Sequence, residues 1–195
     1  MTHYFTNDPN LKSDEKKITT YIGNQEFTFF TDRGVFSKKG LDFGTRCLLE
    51  TIDLTSIKGK VLDFGCGYGP IGIYIKKNTD ALVDMIDINH RSLHLASLNA
   101  KENGVDVHIF ESNVYDQVTD QYHFIITNPP IRVGNEILYQ ILLGAKEHLV
   151  SGGQLIFVMN KDQGAKTAIK RLSESYEVEV LDKKKGFYII CCTNN

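Results

Sequence analysis

The chain lacks an excess of charge of either sign. Its 22 Lys plus Arg stand against 24 Asp plus Glu, a formal net charge of −2. That balance excludes a protein that is basic throughout and holds nucleic acid by charge alone, while leaving room for a local basic face. Long apolar runs are missing too. The stretch Phe187 to Cys192 is far too short to span a bilayer, and Met1 to Asn10 has no apolar core of the signal-peptide kind. Cysteine is scarce: Cys47, Cys66, Cys191 and Cys192 include no pair with the two-residue gap of a zinc knuckle or a thioredoxin-like motif. Vicinal Cys191 and Cys192 on a strand should face opposite ways, as reduced, partly buried thiols. His90, His94, His108, His123 and His148 lack metal-ligand spacing. The four prolines are sparse, and neither repeats nor low-complexity segments occur. These absences imply a soluble cytoplasmic protein with no membrane partner and no metal.

What is present is the composition of one globular domain. The 195 residues are 42% hydrophobic and 24% charged, enough to bury roughly 70% of the unfolded surface. Two β-prone runs, 17–22 and 25–31, flank Gly23-Asn24 and predict a hairpin. The stretch 42–52 has helical spacing. From residue 60 onward strands and helices alternate: strands are expected at 60–64, 81–86, 105–110, 122–127 and 154–159. Helices are expected at 70–77, 91–103, 135–150 and 165–175, with Gly104 ending the second. The last two strands, 176–181 and 187–192, are joined by Asp182 to Gly186. Such alternation predicts a parallel sheet covered by helices on both faces, with one antiparallel strand from the closing hairpin. We expect residues 1–40 to form an N-terminal β-hairpin extension and 41–195 the main domain.

The segment Val61-Leu62-Asp63-Phe64-Gly65-Cys66-Gly67-Tyr68-Gly69-Pro70-Ile71-Gly72 carries the most information. Glycines at a strand-to-helix turn let a ligand approach the backbone, and Asp87, at the end of the next strand, can accept both hydroxyls of a ribose. Together they specify an adenosine-bearing ligand. Gly67-x-Gly69-x-x-Gly72 formally satisfies a dinucleotide pattern. A carboxylate at Asp63 would repel a pyrophosphate, however, and suits an ammonium such as that of S-adenosylmethionine. Asp63 could alternatively cap local amides.

Here the sequence resembles the class I S-adenosylmethionine-dependent methyltransferases, whose first motif is Asp63-Phe64-Gly65-Cys66-Gly67-Tyr68-Gly69 in this chain. The resemblance implies an α/β, Rossmann-like sandwich with a mostly parallel seven-stranded sheet, an antiparallel last strand and a small N-terminal β addition. It implies a donor site of Phe36, Asp63, Gly65, Cys66, Gly67, Gly69, Asp87, Ile88, Asn113, Val114 and Asn128. Asn113 stands where many relatives have an acid near the adenine.

A second motif, Asn128-Pro129-Pro130-Ile131, follows the strand at 122–127 and faces the same crevice. Its prolines remove two donors and leave carbonyls free to accept. It resembles the site of methyltransferases that act on a planar amino nitrogen, which makes Asn128, Pro129, Pro130 and Ile131 the catalytic candidates. Relatives often place an aromatic ring after the prolines; here Ile131 stands instead, with Phe36 a possible substitute. The segment from Gly34 through Thr45 resembles the pre-motif of the 16S rRNA guanine-N2 methyltransferases, and the likeness to them and to the single-domain "methyltransferase small" proteins runs from Phe27 onward. It implies methyl transfer to guanine N2 of ribosomal RNA, with rRNA or a ribosomal subunit as partner and a monomer or weak dimer as the acting form. Arg132, Lys38 and Lys39 are candidate substrate contacts, and Lys183, Lys184 and Lys185 a candidate basic rim. Protein glutamine N5, adenine N6 and a non-catalytic donor-binding module in ribosome assembly are the alternatives. The second domain of the two-domain relatives finds no room here, so target recognition is expected from this domain's edges or from a partner.

Overall fold

The computed structural model describes residues 13–32, 35 and 40–195. Phe36, Lys38 and Lys39, with Gly34 and Ser37 of the pre-motif, lie outside the described residues.

Strands β1 (Lys16–Ile22) and β2 (Gln25–Thr31) form an antiparallel hairpin whose register pairs Ile22 with Gln25 across Gly23-Asn24. Alternation turns Phe27, Phe29 and Thr31 inward. Then follow α1 (Phe43–Thr51), β3 (Lys60–Phe64), α2 (Pro70–Asn78), β4 (Leu82–Asp87), α3 (His90–Glu102), β5 (His108–Glu111) and β6 (Tyr122–Thr127). The chain ends with α4 (Asn135–Gly144), β7 (Leu149–Asn160), α5 (Ala165–Leu172), β8 (Glu177–Lys184) and β9 (Phe187–Thr193). Seven strands make one sheet in the order β5-β4-β3-β6-β7-β9-β8. The first five run parallel, and β9 is antiparallel to both β7 and β8.

Each inner strand is apolar on both sides because both faces are covered. One buried cluster joins Val61, Met85 and Ile189 to α1, α2, α3 and the hairpin residues Ile22, Phe27 and Phe29. The other joins Leu62, Ile86 and Ile190 to α4 and α5. Cys191 falls in the first cluster and Cys192 in the second, so the vicinal thiols do face opposite ways. The hairpin is held to α3 by side-chain amides that act as an extra strand. Phe30 N–H donates to Asn99 Oδ1 (2.6 Å), and Asn99 Nδ2 donates to Phe30 O (2.9 Å) and Tyr68 O (2.8 Å). Asn103 Nδ2 donates to Thr28 O at 2.8 Å.

Several expected boundaries move, among them the end of the last helix, which stops at Leu172 and not at 175. The helix expected over 135–150 stops at Gly144; Ala145–His148 tighten into a 3-10 turn and Leu149 already pairs with Tyr122. Apolar Leu149 and Val150 suit either a helix face or a strand, and pairing with β6 decides for the strand. The strand expected from 105 begins at His108, because Val105 N–H and Gly104 N–H still donate to Ala100 O and Lys101 O in closing α3. The last loop is shorter than expected: β8 runs on to Lys184, and the turn is Lys185-Gly186, both at positive φ (49° and 85°). Two left-handed residues match the twist of a hairpin.

Candidate active site

The chain reverses its direction of travel across the sheet at β3, whose neighbours are β4 and β6. The carboxyl ends of β3 and β6 therefore flank the crevice where ligands of such sheets bind. Thr127 Oγ1 ties the two ends together by donating to Phe64 O at 2.8 Å.

The glycines of the turn divide by role. Gly65 and Gly67 have φ of 66° and 56°, and a Cβ on either would meet nothing within 4 Å. They leave an open backbone cradle. A Cβ on Gly69 or Gly72 would instead strike Met85, at 2.9 Å and 2.7 Å, so these two allow α2 to close on β4. Pro70 at the first helical position presets the start of α2.

Asp63 is fully buried. Its Oδ2 accepts from Gly72 N–H at 2.8 Å, while Oδ1 has no partner. The carboxylate thus caps a local amide with one oxygen and keeps the other bare. Burial outweighs the Gly72 bond and pushes the carboxyl up to about 7. An orphaned, buried carboxylate oxygen beside an open glycine cradle fits a ligand that brings an ammonium, directly or through water. Asp87 lies half-buried at the end of β4, accepting from Gly67 N–H (2.9 Å) and Asn89 N–H (2.8 Å). Burial raises its pKa, and those amides partly offset the rise. Ile88 N–H is a third donor to this carboxylate, which still has lone-pair capacity for a ribose hydroxyl.

Cys66 is buried, its amide donates to Ile86 O, and burial lifts its thiol well above the ordinary range, so it is an inert wall. Ile88 is half-buried beside Asp87. Asn113 is exposed after β5 and donates to Asp116 Oδ2 at 3.2 Å. Val114 sits at φ 50°, a conformation that costs a β-branched residue on the order of 1–3 kcal/mol. Ser112 Oγ holds it there by donating to Val114 O at 3.0 Å.

Asn128 follows β6. Its Nδ2 donates to Thr45 Oγ1 at 2.9 Å and stands 3.3 Å and 3.4 Å from the two oxygens of Asp42. Asp42 is the N-cap of α1 and accepts from Thr45 N–H at 3.2 Å. Pro129 is buried, Pro130 and Ile131 are half-buried, and Arg132 is exposed on a single 3-10 turn. From sequence Asp42 and Thr45 are legible only as the start of a helix inside the pre-motif; nothing in the pattern links them to Asn128.

The Lys185-Gly186 turn lies at this same end of the sheet, since Asn160, closing β7, pairs with Phe187. Lys183, Lys184 and Lys185 are all exposed. Lys184 pairs with Glu50 at 3.2 Å, and Lys185 Nζ lies 5.2 Å over the Phe43 ring. Phe43 and Phe187 are half-buried with ring centroids 5.6 Å apart, and Phe187 reaches within 3.0 Å of where a Gly44 Cβ would be. Phe43 lies within the pre-motif, but nothing in the sequence pairs it with Phe187. No helix among the described residues is long and apolar enough to cross a membrane.

The switch-point crevice, with its glycine cradle, paired carboxylates and antiparallel last strand, defines a class I methyltransferase fold. The Methyltransferase small domain family matches residues 26–191, and the chain belongs to that family. It is an S-adenosylmethionine-dependent methyltransferase. Uncharacterized protein YbxB of Bacillus subtilis is 42% identical over 193 residues, 96% of each chain. Ribosomal RNA small subunit methyltransferase C of Vibrio parahaemolyticus is 38% identical over 162 residues, which cover 79% of this chain and 47% of that protein. Among solved structures, the Thermus thermophilus 16S rRNA N2 G1207 methyltransferase (RsmC), in complex with AdoMet and guanosine, superposes with a TM-score of 0.85. Its identity is 24%, covering 96% of this chain and 52% of that one. The chain thus spans about half the length of these methyltransferases and nearly all of the Bacillus protein.

Proposed function

We propose that this chain methylates the exocyclic amino group, N2, of a guanine in small-subunit ribosomal RNA, acting in the cytoplasm. The observation that carries the reading is the Asn128 amide. Its nitrogen is committed to Asp42 and Thr45, so its oxygen is left to accept beside the donor crevice. The 38% identity to an rRNA methyltransferase of the small subunit supports the choice of acceptor. Lys183, Lys184 and Lys185 support an anionic substrate.

In this reading Asp63 takes the ammonium of the donor, Asp87 its ribose, and Gly65 and Gly67 its approach to the backbone, with Ile88, Asn113 and Val114 around the base. The donor supplies an electrophilic methyl group on a sulfonium. Asn128 Oδ1 and the Pro129 carbonyl accept the two hydrogens of the guanine amino group. Its lone pair is conjugated into the ring, so the pair of acceptors must hold the nitrogen in line with the methyl at roughly 3–3.5 Å. The same two oxygens stabilise positive charge growing on nitrogen as the N–C bond forms and the C–S bond breaks. The extra proton then passes to water. Pro129 and Pro130 keep the turn rigid and free of competing donors.

The test uses purified protein, labelled S-adenosylmethionine, 16S rRNA, small subunits and ribosomal proteins. N2-methylguanosine in RNA is expected. Label in protein alone would favour the glutamine reading, N6-methyladenosine the adenine one, and no transfer despite bound donor the assembly module. Asn128→Ala should lower kcat about a hundredfold at saturating donor, a loss beyond any change in donor affinity.

A further inference from the structure

The two ends of an asparagine amide have nearly the same shape and opposite hydrogen-bonding sense. Asn128 serves an amino acceptor only if its oxygen, and not its NH2, faces the substrate. A flip about the terminal bond would set donor against donor.

We infer that Asp42 and Thr45 are positioning residues that lock the Asn128 amide in its oxygen-outward orientation; the inference rests on the function proposed above. The reasoning is one of donor and acceptor inventory. A carboxylate has no proton to give, so Asp42 can only accept. Thr45 has one hydroxyl proton, and it donates that to Asp42 Oδ2. What remains on Thr45 Oγ1, 2.9 Å from Asn128 Nδ2, is a lone pair. Among the described residues, both partners of the Asn128 NH2 are therefore acceptors. The flipped amide would exchange three favourable contacts for oxygen against oxygen, one side being charged.

The lock is itself anchored. Thr45 N–H holds Asp42 Oδ1 at the start of α1, and Thr45 is 3% exposed. The Phe187 ring closes against Gly44, where a Cβ would lie 3.2 Å from Asp42 Oδ1. One helix cap thus performs two tasks: it satisfies the first turn of α1 and orients an amide carried by β6, 86 residues further along.

Kinetics of five variants test this, with donor affinity and melting temperature measured alongside. Thr45→Val should lower kcat at least tenfold with KM for RNA unchanged, and Thr45→Ser should restore it. Asp42→Asn keeps an N-cap but can present a donor to Asn128, so it should also lower kcat. Asn128→Asp places two carboxylates face to face and should be nearly inactive. Asp42→Asn combined with Asn128→Asp rebuilds a donor–acceptor pair with an oxygen still facing the substrate, and should recover at least tenfold over Asn128→Asp alone. A purely structural role for the cap would not produce that rescue. Wild-type kcat in Thr45→Val and Asp42→Asn, or a double variant no faster than Asn128→Asp, would overturn the inference while leaving the proposed function intact. Full activity of Asn128→Ala would instead overturn the proposed mechanism beneath it.

Discussion

At the scale of single residues, Asp63 sets a measurable pH dependence. Its bare oxygen and a pKa near 7 mean that the free protein holds the carboxyl partly protonated at neutrality. An ammonium ligand binds the ionised form. Donor affinity, measured by calorimetry, should therefore fall about tenfold for each pH unit below 7, and Asp63→Asn should flatten that slope while weakening binding. Stability moves the other way. The folded protein keeps this proton above the ordinary value of 3.8, so the group turns increasingly unfavourable to folding as pH rises from there to about 7. Asp63 and Asp87 are legible in the sequence because a short run of glycines and one following strand fix their place. Asp42 and Thr45 are not, because their link to Asn128 spans 86 and 83 residues and exists only once α1 has packed onto the sheet against β7 and β9. Phe43 and Phe187 escape notice for the same reason: an aromatic pair contributed by two distant elements has no local signature.

Elements are legible where one pattern dominates, and less so where two compete. β3 and β6 match their apolar runs residue for residue. Beyond α4 the same apolar residues satisfied helix and strand alike, and only the pairing of Leu149 with Tyr122 separates them. The attachment of the N-terminal hairpin was wholly hidden, since Asn99 and Asn103 look like ordinary polar positions on α3. They occupy the free edge of β2 and so leave no row of unpaired amides there. Asn99→Ala would strand Phe30 N–H, Phe30 O and Tyr68 O together. We expect a loss of about 2–4 kcal/mol in denaturant unfolding, with faster hydrogen exchange at the Phe30 amide.

For the whole molecule, a net charge of −2 says little about partners, because the charges are sorted by place. Three exposed lysines gather on the last hairpin, at the carboxyl end of the sheet, beside the half-buried Phe43–Phe187 pair. Replacing Lys183, Lys184 and Lys185 by Gln should raise KM for rRNA severalfold and lower the dependence of binding on salt by up to about three phosphate contacts. Donor affinity, measured in the same buffers, should not change. The clasp between β2 and α3 carries a different kind of consequence. During synthesis the hairpin leaves the ribosome well before the groups that complete it, because Phe30 and Asn99 are 69 residues apart. At about 5–20 residues per second, β2 waits several seconds with its edge and its Phe27–Phe29 face uncovered. A nascent chain paused between these two points is one whose first strands are made and cannot yet be housed.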